Sequence, residues 1–365
     1  MEIYAIVFCV LAALTIIELY SPTDAVKAPI AIACVLVLSL FSGLRWETGN
    51  DWWNYLDHYQ FASTLAYNED TFEVGYRALV VISRKIGLSY TGFLLLTALI
   101  SNTGFVIAFA RLGPVALLTM LFFTSYYLGL IGTQRQMLAA AFACIAMLKI
   151  YDRRHILAIS LIGIAMLFHV TAIVCIFCFL VPRRAVGLPL LATAAMTAGA
   201  VAFFGPAIAN LVIGALSSGG FIASKLLVYT LNENSPDSVY NILFAVLKRV
   251  FLAGFFFAVC RQPNKSIENY AVNSYVYSVV IFLIFISIVP ILAFRTSIYF
   301  FVFELYLVHL TIKRFGGKYW RELFVTLGLI LSAFRLYWNI VTFEPLLFIP
   351  YKSVMIESDH TRFSY

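Results

Sequence analysis

One short stretch of this 365-residue chain holds most of the side chains that could carry out chemistry. This acidic segment runs from Arg45 to Arg77. It contains a third of the chain's 18 acids, together with three tryptophans and His58; the acids are Glu47, Asp51, Asp57, Glu69, Asp70 and Glu73. Carboxylates accept hydrogen bonds from hydroxyl groups. Acids next to aromatic rings therefore suit a hydroxyl-rich substrate.

Two of these acids are candidates for a general base. Asp51 and Glu73 each lie beside a glycine and aromatic residues, at the two ends of the segment. A base that takes a proton from an attacking hydroxyl must be held within hydrogen-bond reach of it. Asp57, Glu69 and Asp70 are more typical of solvated surface charge.

A lone histidine, His169, lies in the middle of a long apolar run. Such a residue is often a structural histidine with its hydrogen bonds satisfied. Because its ordinary pKa lies near neutrality, it could also accept a proton or bind a phosphate or hydroxyl. Both interpretations remain open from the sequence.

Several arginines are expected at membrane depth, where charge is costly and often functional. Converging guanidinium groups form bidentate sites for phosphate. The alternative is that each side chain extends to the lipid headgroups, an explanation that applies most to Lys248 and Arg335. The arginines expected in the external half of the membrane are Arg45, Arg135, Arg249, Arg295 and Arg335.

No metal or cofactor motif is visible. The sequence has no Asp-x-Asp pair, no zinc-type spacing, no P-loop and no dinucleotide fingerprint. Cys175 and Cys178 form a C-x-x-C inside an apolar run, where helix packing is the simpler explanation. We therefore predict no metal site and no cofactor.

The composition is that of a helical membrane protein. Hydrophobic residues make up 62% of the chain, and the mean hydropathy is +0.92. Continuous apolar runs of about 20 residues match the thickness of a bilayer. We predict an all-α, polytopic fold over residues 1–365 as one membrane domain. About ten full spans are expected, at 3–20, 28–44, 91–110, 113–130, 134–150, 187–208, 241–260, 271–292, 296–312 and 322–342.

Basic residues decide the topology of two ambiguous stretches. Lys and Arg in short loops favour the cytoplasmic side. If residues 156–181 form a re-entrant hairpin with its tip near Phe168 and His169, the basic pairs at 153–154 and 183–184 both lie on the cytoplasmic side. Residues 75–87 are then a surface or re-entrant helix, and the loop and helix at 45–90 face outward. The alternative is that both stretches cross the membrane once.

A second external loop is expected at 214–240, where Ser, Gly and Asn are frequent. The formal charge of +7 comes largely from the short loops and orients the protein. We therefore expect no nucleic-acid partner.

Ordered motifs from about residue 43 to 352 resemble the EpsG family of Wzy-like polysaccharide polymerases. Asn50 and Val74 depart from the family pattern, and neither change removes a charged group. The motifs are Gly43-Leu44-Arg45, Gly49-Asn50-Asp51, Tyr55, Phe61, Glu73-Val74-Gly75-Tyr76, Gln134-Arg135-Gln136 with Ala139-Ala140, Leu167-Phe168-His169, Arg295 with Tyr299-Phe300, and Pro350-Tyr351-Lys352.

The resemblance implies a multi-pass enzyme of the bacterial inner membrane that resembles GT-C glycosyltransferases, with its active site facing the periplasm. It would join repeat units linked to undecaprenyl diphosphate, in exopolysaccharide, capsule or O-antigen assembly. The expected reaction is inverting and metal-independent. Partners would be the lipid-linked glycan, the bilayer and other assembly proteins, such as a chain-length regulator or a flippase.

Site roles follow as expectations from this resemblance and from the residues themselves. Asp51 or Glu73 would be the base, and His169 would position a phosphate or the acceptor. The diphosphate would be bound by Arg45, Arg135, Arg249 and Arg295. The sugar rings would contact Trp52, Trp53, Tyr76, Arg77 and Tyr299.

Four other functions fit parts of the sequence. A lipid-glycan flippase or transporter also needs buried charge, but it commonly shows internal repeats, and we find none. A ligase that uses the same lipid carrier cannot be distinguished from a polymerase by these residues. A membrane O-acyltransferase favours a histidine that is accessible from the cytoplasm, whereas His169 is expected to point outward. A non-enzymatic scaffold would tolerate changes at all the arginines.

Overall fold

The computed structural model describes residues 1–21, 23–62, 72–187, 196, 199–200, 204, 239–262, 264–286, 289–315, 321–342 and 345–355. Nearly all of the described elements are helices. The chain divides into two compact units: unit 1 comprises Met1–Ile173 and Val308–Tyr365, and unit 2 comprises Val174–Leu307. The expected loop at 214–240 falls almost wholly outside the described residues, as do Glu69 and Asp70. A single membrane domain remains a prediction.

Unit 1 contains the acidic segment. Its helices in chain order are α1 (Glu2–Tyr20), α2 (Lys27–Gly43), α3 (Trp52–Phe61), α4 (Val74–Lys85), α5 (Tyr90–Leu112), α6 (Val115–Phe122), α7 (Leu128–Ile131), α8 (Gln134–Tyr151) and α9 (His155–Phe168). A π-helix, Phe123–Tyr127, joins α6 to α7, and a 3₁₀ turn, Asp24–Val26, precedes α2. Strand β1 (Arg45–Trp46) follows α2.

The remaining elements begin with a 3₁₀ helix, Val170–Leu180, that follows α9. Unit 2 then contains α10 (Val239–Cys260), α11 (Ser266–Ile286), α12 (Pro290–Ser297), the 3₁₀ turn Ile298–Phe300 and the start of α13 (Phe301–Phe315). The chain returns to unit 1 through the end of α13, α14 (Arg321–Thr342), α15 (Pro345–Phe348) and strand β2 (Lys352–Ser353).

Seven helices in the described part of the chain are long and apolar enough to cross a membrane, which confirms a multi-pass helical membrane protein. They are Glu2–Tyr20, Asp24–Gly43, Tyr90–Leu112, Ile242–Cys260, Ser266–Ile286, Pro290–Phe315 and Glu322–Val341. Val115–Ile131 is apolar but shorter. The expected span 187–208 lies mostly outside the described residues. The total of about ten spans and the GT-C-like arrangement remain predictions.

One expected boundary is wrong. The apolar pattern predicts one span at 271–292 and the next at 296–312. In the structure α11 ends at Ile286, and α12 begins at Pro290 with the proline in its first turn. Proline has no N–H to donate and favours the first helical position. Pro290 therefore starts the second helix and cannot lie inside the first.

The long apolar run at 156–181 is broken where the hairpin tip was expected. Helix α9 ends at Phe168, His169 is extended (φ −156°), and a 3₁₀ helix begins at Val170. The 14 residues of α9 reach about 21 Å, short of a bilayer core of roughly 30 Å. This break supports a re-entrant segment. The side on which each arm ends remains a prediction.

The acidic segment forms two short helices, α3 and α4. Helix α4 has 12 residues and is about 18 Å long, too short to span a membrane. Its buried side chains, Tyr76, Val80 and Ser83, fall on one face. An amphipathic helix of this length supports the expected surface or re-entrant helix.

The external position of α3 can be tested by labelling. In a cysteine-free background, a cysteine in place of exposed Asp57 should react with an impermeant maleimide in intact spheroplasts. A cysteine in place of exposed Arg154 should react only after lysis. The reverse pattern would contradict the topology.

Candidate active site

The first part of the acidic segment is fixed by the C-terminal end of the chain. Strands β1 and β2 pair antiparallel, with Arg45 opposite Ser353 and Trp46 opposite Lys352. The N–H of Gly49 donates to the carbonyl of Leu347 over 3.2 Å. The chain's last described residues therefore hold the loop that leads to Asp51.

This loop also packs closely on the turn before α8. Gly49 has φ +105°, and a Cβ there would lie 2.7 Å from the Cα of Gly132. A Cβ on Gly132 would lie 2.8 Å from the backbone nitrogen of Asn50. Only glycine fits at both positions without movement of the backbone. The contact brings the loop 49–51 next to the start of α8, which carries Arg135.

Arg45 is buried and positions backbone. It is 3% exposed, and its guanidinium donates to the carbonyls of Ser42, Thr48 (3.2 Å) and Ile131 (2.8 Å). It therefore joins the end of α2, the loop and the turn before α8. From the sequence, Arg45 was expected to bind diphosphate. With these carbonyl partners, we assign it to holding the site together.

A buried polar network is connected to Arg45 through Ser42. The hydroxyl of Tyr127 donates to the carbonyl of Leu38 (2.9 Å) and lies 2.9 Å from the hydroxyl of Ser42. Asn102 donates to Tyr127 over 3.0 Å. Tyr127 ends the π-helix, and such helices are rare and frequent at functional sites. The network ties α2, α5 and the π-helix together beneath the loop.

An aromatic cluster fills the space between α3, α4 and α5. Its buried members are Trp52, Tyr55, Leu56, Tyr59, Ala62, Phe72, Tyr76, Val80, Tyr90, Phe93, Leu94 and Leu138. Trp52 is 2% exposed and Tyr76 is fully buried, and Tyr76 donates to Gln134 over 3.0 Å. Both were expected to stack on sugar rings. Their burial assigns them to the core beneath the site, while Trp53 remains partly exposed.

The central feature of the site is an ion pair between Arg135 and Glu73. Nη1 of Arg135 lies 2.5 Å from Oε2 of Glu73, with the side chains 17% and 5% exposed. The guanidinium also lies over the rings of Phe72 (4.6 Å) and Tyr55 (5.9 Å). A carboxylate that binds a guanidinium stays ionised and is a weak base. Glu73 is therefore better suited to orienting Arg135 than to accepting a proton.

Asp51 lies close to this pair. It precedes α3, is partly exposed, and its carbonyl accepts from the N–H of Tyr55 over 3.1 Å. Burial raises the pKa of Tyr55, the charge of Arg135 opposes the rise, and the charge of Asp51 adds to it. The charges of Arg135 and Asp51 therefore both act on the Tyr55 hydroxyl, which places Asp51 and Arg135 in the same neighbourhood. Of the two candidate bases, Asp51 is the more exposed, whereas the Glu73 carboxylate is buried against Arg135.

His169 lies beyond the end of α9, near the start of α4. It is 5% exposed, and Nδ1 lies 2.6 Å from the hydroxyl of Thr171. A Cβ on Gly75 would lie 2.7 Å from Leu167, so α4 begins in close contact with the end of α9. The structure thus packs the end of α9, which His169 follows, against the start of α4, which Glu73 precedes.

The other two arginines expected to bind diphosphate, Arg249 and Arg295, belong to unit 2. Arg249 lies over the rings of Phe282 (3.9 Å) and Phe294 (5.4 Å), and Arg295 is the next residue after Phe294. Arg249 therefore lies against the helix that carries Arg295. Their convergence with Arg135 on one diphosphate remains a prediction. Tyr299 is fully buried. Arg77 lies one turn into α4 in unit 1 and is partly buried.

A second buried ion pair was not anticipated. Nζ of Lys352 lies 3.0 Å from Oε2 of Glu47, and the side chains are 9% and 1% exposed. Glu47 has φ +43°, which is uncommon for a residue with a side chain. The pair fixes β2 to the loop that precedes Asp51. In the sequence, Lys352 stands out only as part of the motif Pro350-Tyr351-Lys352.

Replacing Lys352 with Met should destabilise the protein strongly, because the buried Glu47 carboxylate would lose its cation. The expected loss is about 3–5 kcal/mol. The double variant E47Q/K352M should recover most of the midpoint of thermal unfolding. If the single and double variants unfolded at the same temperature, the ion pair would not have the role assigned here.

A buried histidine, His58, lies within the aromatic cluster. It is 1% exposed and stacks on Phe72 with ring centroids 4.1 Å apart. Its pKa is lowered to about 4, first by burial and then by the charges of Arg135 and Arg77. An unfolded histidine binds a proton near pH 6.5. Between those pH values the unfolded chain therefore binds more protons than the folded protein.

Stability should consequently fall as the pH drops from about 6.5 toward 4, by up to about 1.4 kcal/mol per pKa unit. Thermal unfolding at pH 7.5 and pH 5 measures this change. The variant H58F should show a smaller difference between the two pH values. Replacing exposed His155 with Gln should leave the difference as it is in the wild type.

The site combines a partly exposed carboxylate with a guanidinium that is held in place by a second carboxylate. This arrangement can bind an anionic group beside a base. Among the residues that the structure describes, no three His, Cys, Asp or Glu side chains are grouped to hold a metal ion. Independence from metal remains a prediction.

Comparison with known proteins gives one family. A model of the EpsG family matches residues 30–353, which is most of the chain. The matched range includes most of α2, the acidic segment, α8, α9 and Lys352. No curated protein and no solved structure matches the chain.

Proposed function

The chain belongs to the EpsG family of polysaccharide-polymerase-like membrane proteins, and on that premise we propose that it polymerises lipid-linked oligosaccharides at the outer face of the bacterial inner membrane. The substrate would be a glycan repeat unit on undecaprenyl diphosphate. The cluster formed by Asp51, Glu73 and Arg135 would be the site of transfer.

The ion pair between Arg135 and Glu73 is the observation that carries this proposal. A buried or partly buried arginine is costly unless it is paired. Here it is held at the start of a helix, over two aromatic rings and beside a more exposed acid. A planar guanidinium fixed in this way suits an oxygen of a diphosphate leaving group.

The proposed reaction is a displacement with inversion at the anomeric carbon of the growing chain. Asp51 accepts the proton from a sugar hydroxyl of the incoming lipid-linked unit. That oxygen forms a bond to the anomeric carbon as the carbon–oxygen bond to the diphosphate breaks. The bonding electrons leave with the diphosphate, and Arg135 stabilises the negative charge that develops there.

The remaining residues have supporting roles in this proposal. His169 would contact the acceptor or the diphosphate from the end of α9. Arg249 and Arg295 would bind diphosphate oxygens, and Trp53 and Arg77 would contact sugars. Tyr299 was also expected to contact sugar, but it is fully buried, so we assign it to the core of unit 2. Arg45, Trp52 and Tyr76 would hold these groups in place.

A deletion strain tests the function directly. If the protein is a polymerase, its loss should leave a single repeat unit on the lipid carrier, and sizing of lipid-linked glycans on a gel would show this. Full-length chains that remain on the carrier would indicate a ligase. Single units that stay on the cytoplasmic leaflet would indicate a flippase. Either of these results would reject the proposal.

A further inference from the structure

Unit 1 contains a large cavity far from the candidate active site. Its volume is about 900 Å³, at the upper end of the range for ligand pockets. Helices α1, α2, α5, α6, α13 and α14 contribute its walls. Helix α2 runs from Lys27 at this cavity to Gly43 near the active site, a distance of about 25 Å. The two sites therefore belong to opposite halves of the membrane.

The cavity has an apolar interior and a basic rim. Its apolar lining includes Ala31, Leu117, Met120, Leu121, Ile312 and Leu329. Three cations, Lys27, Arg111 and Lys313, line it together with one carboxylate, Glu18. An anionic headgroup attached to a hydrocarbon chain would match both parts, because the cations attract the charge and the interior accepts the chain.

The carboxylate of Glu18 does not cancel the positive charge at the cavity, because it is engaged by the backbone. Its two oxygens accept from the backbone N–H groups of Val115 (2.7 Å) and Ala116 (2.8 Å) at the start of α6. The first N–H groups of a helix have no partner within the helix. Glu18 therefore caps α6 and fixes one wall of the cavity.

Two of the three cations have acidic neighbours at the surface. Lys27 lies 2.7 Å from Asp24, and Arg111 lies 3.2 Å from Asp152. The exposed fractions of these four side chains lie between 22% and 90%, so the pairs are in contact with water. Ion pairs at such exposed positions contribute little and exchange readily. A phosphate can therefore compete for these cations.

We propose that this cavity is a binding site for an anionic phospholipid of the leaflet opposite to the active site. Its phosphate would lie between Lys27, Arg111 and Lys313, and an acyl chain would follow the apolar wall formed by α2, α6 and α14. Basic pockets between helices on the cytoplasmic side commonly bind acidic headgroups. The short basic loops of this chain favour that side for the cavity. The proposal is independent of the polymerase reaction.

Native mass spectrometry of the full-length protein tests the proposal, with phosphatidylglycerol and phosphatidylcholine as probes. The wild type should retain phosphatidylglycerol in preference to phosphatidylcholine. The triple variant K27Q/R111Q/K313Q should bind phosphatidylglycerol roughly 10- to 100-fold more weakly. The variant R153Q/R154Q/R314Q removes the same charge outside the cavity and should bind like the wild type.

A second variant changes the volume of the cavity and keeps its charge. Ala31→Phe should weaken binding of phosphatidylglycerol, whereas Ala5→Phe, at an exposed position of α1, should not. Equal binding of both phospholipids, or equal loss in the two charge variants, would overturn the proposal. Displacement of phosphatidylglycerol by millimolar inorganic phosphate would also overturn it, because the site would then recognise a free anion.

Discussion

Replacing Arg135 with Ala should abolish long glycan chains while the protein remains in the membrane at its normal level. In the proposed reaction, Arg135 stabilises the charge that develops on the diphosphate. Removal of one such group typically lowers turnover by about 10²–10³-fold. Arg135→Lys should recover only part of the activity, since an ammonium group lacks the planar donors of a guanidinium. Gel sizing of glycans and quantitative immunoblotting measure the two quantities.

The matched control is Arg154→Ala, which removes an exposed arginine from the turn before α9. It should leave the chain length unchanged. Loss of Arg135 also removes the cation that pairs with the buried Glu73 carboxylate, so folding must be checked. The double variant R135A/E73Q removes that complication. Normal chain length in a well-folded double variant would contradict a role for Arg135 in transfer.

Replacing Asp51 with Asn should stop transfer without preventing the substrate from binding. Loss of a general base commonly lowers the rate by about 10²–10⁴-fold. Since Asn keeps the shape of Asp, helix α3 should still begin at Trp52. We expect kcat to fall at saturating substrate while the Kd for the lipid-linked unit changes little. Turnover and binding assays on purified protein give these two values.

Glu73→Gln should behave differently from Asp51→Asn. Glu73 orients Arg135, so its loss should weaken substrate binding and lower the thermal midpoint as well as slow the reaction. The control is Asp57→Asn, an exposed acid on the same helix as Trp52, which should have no effect on either assay. If Glu73→Gln lost turnover alone and Asp51→Asn lost binding, the two roles would be reversed.

The sequence alone predicts that the acidic segment and Arg135 lie on the same side of the membrane. Charge that is concentrated in one segment of an apolar chain must face water or a partner. The basic loops then required the start of α8 to lie on the same side as Asp51. In the structure Gly49 packs on Gly132, which agrees with that expectation. The side of the membrane on which both lie remains to be measured.

The supporting contacts could not be predicted in the same way. Glu47 and Lys352 are 305 residues apart, and no periodicity links residues at that separation. The aromatic residues of the acidic segment were equally suited to a sugar surface and to a core. Trp52 and Tyr76 are buried because their rings pack in the contact between α3, α4 and α5. Burial of that kind depends on tertiary packing.

Helix boundaries depend on local geometry that hydropathy does not register. The run at 113–130 contains a π-helix at Phe123–Tyr127, and Asn339 of α14 donates to the carbonyl of Thr124 over 2.8 Å. A side chain from a distant helix thus binds backbone in the widened turn. At 286–290 proline determined the boundary. Neither the π-helix nor the proline changes the apolar character of the run in which it lies.

Transfer between lipid-linked units by purified protein is the most direct test of the central claim. The protein in liposomes, supplied with a single repeat unit on undecaprenyl diphosphate and no nucleotide sugar, should produce a ladder of longer glycans. Arg135→Ala and Asp51→Asn should each leave the unit unextended. Failure of the well-folded wild type to extend the unit, or equal ladders from wild type and both variants, would contradict the assignment of this site.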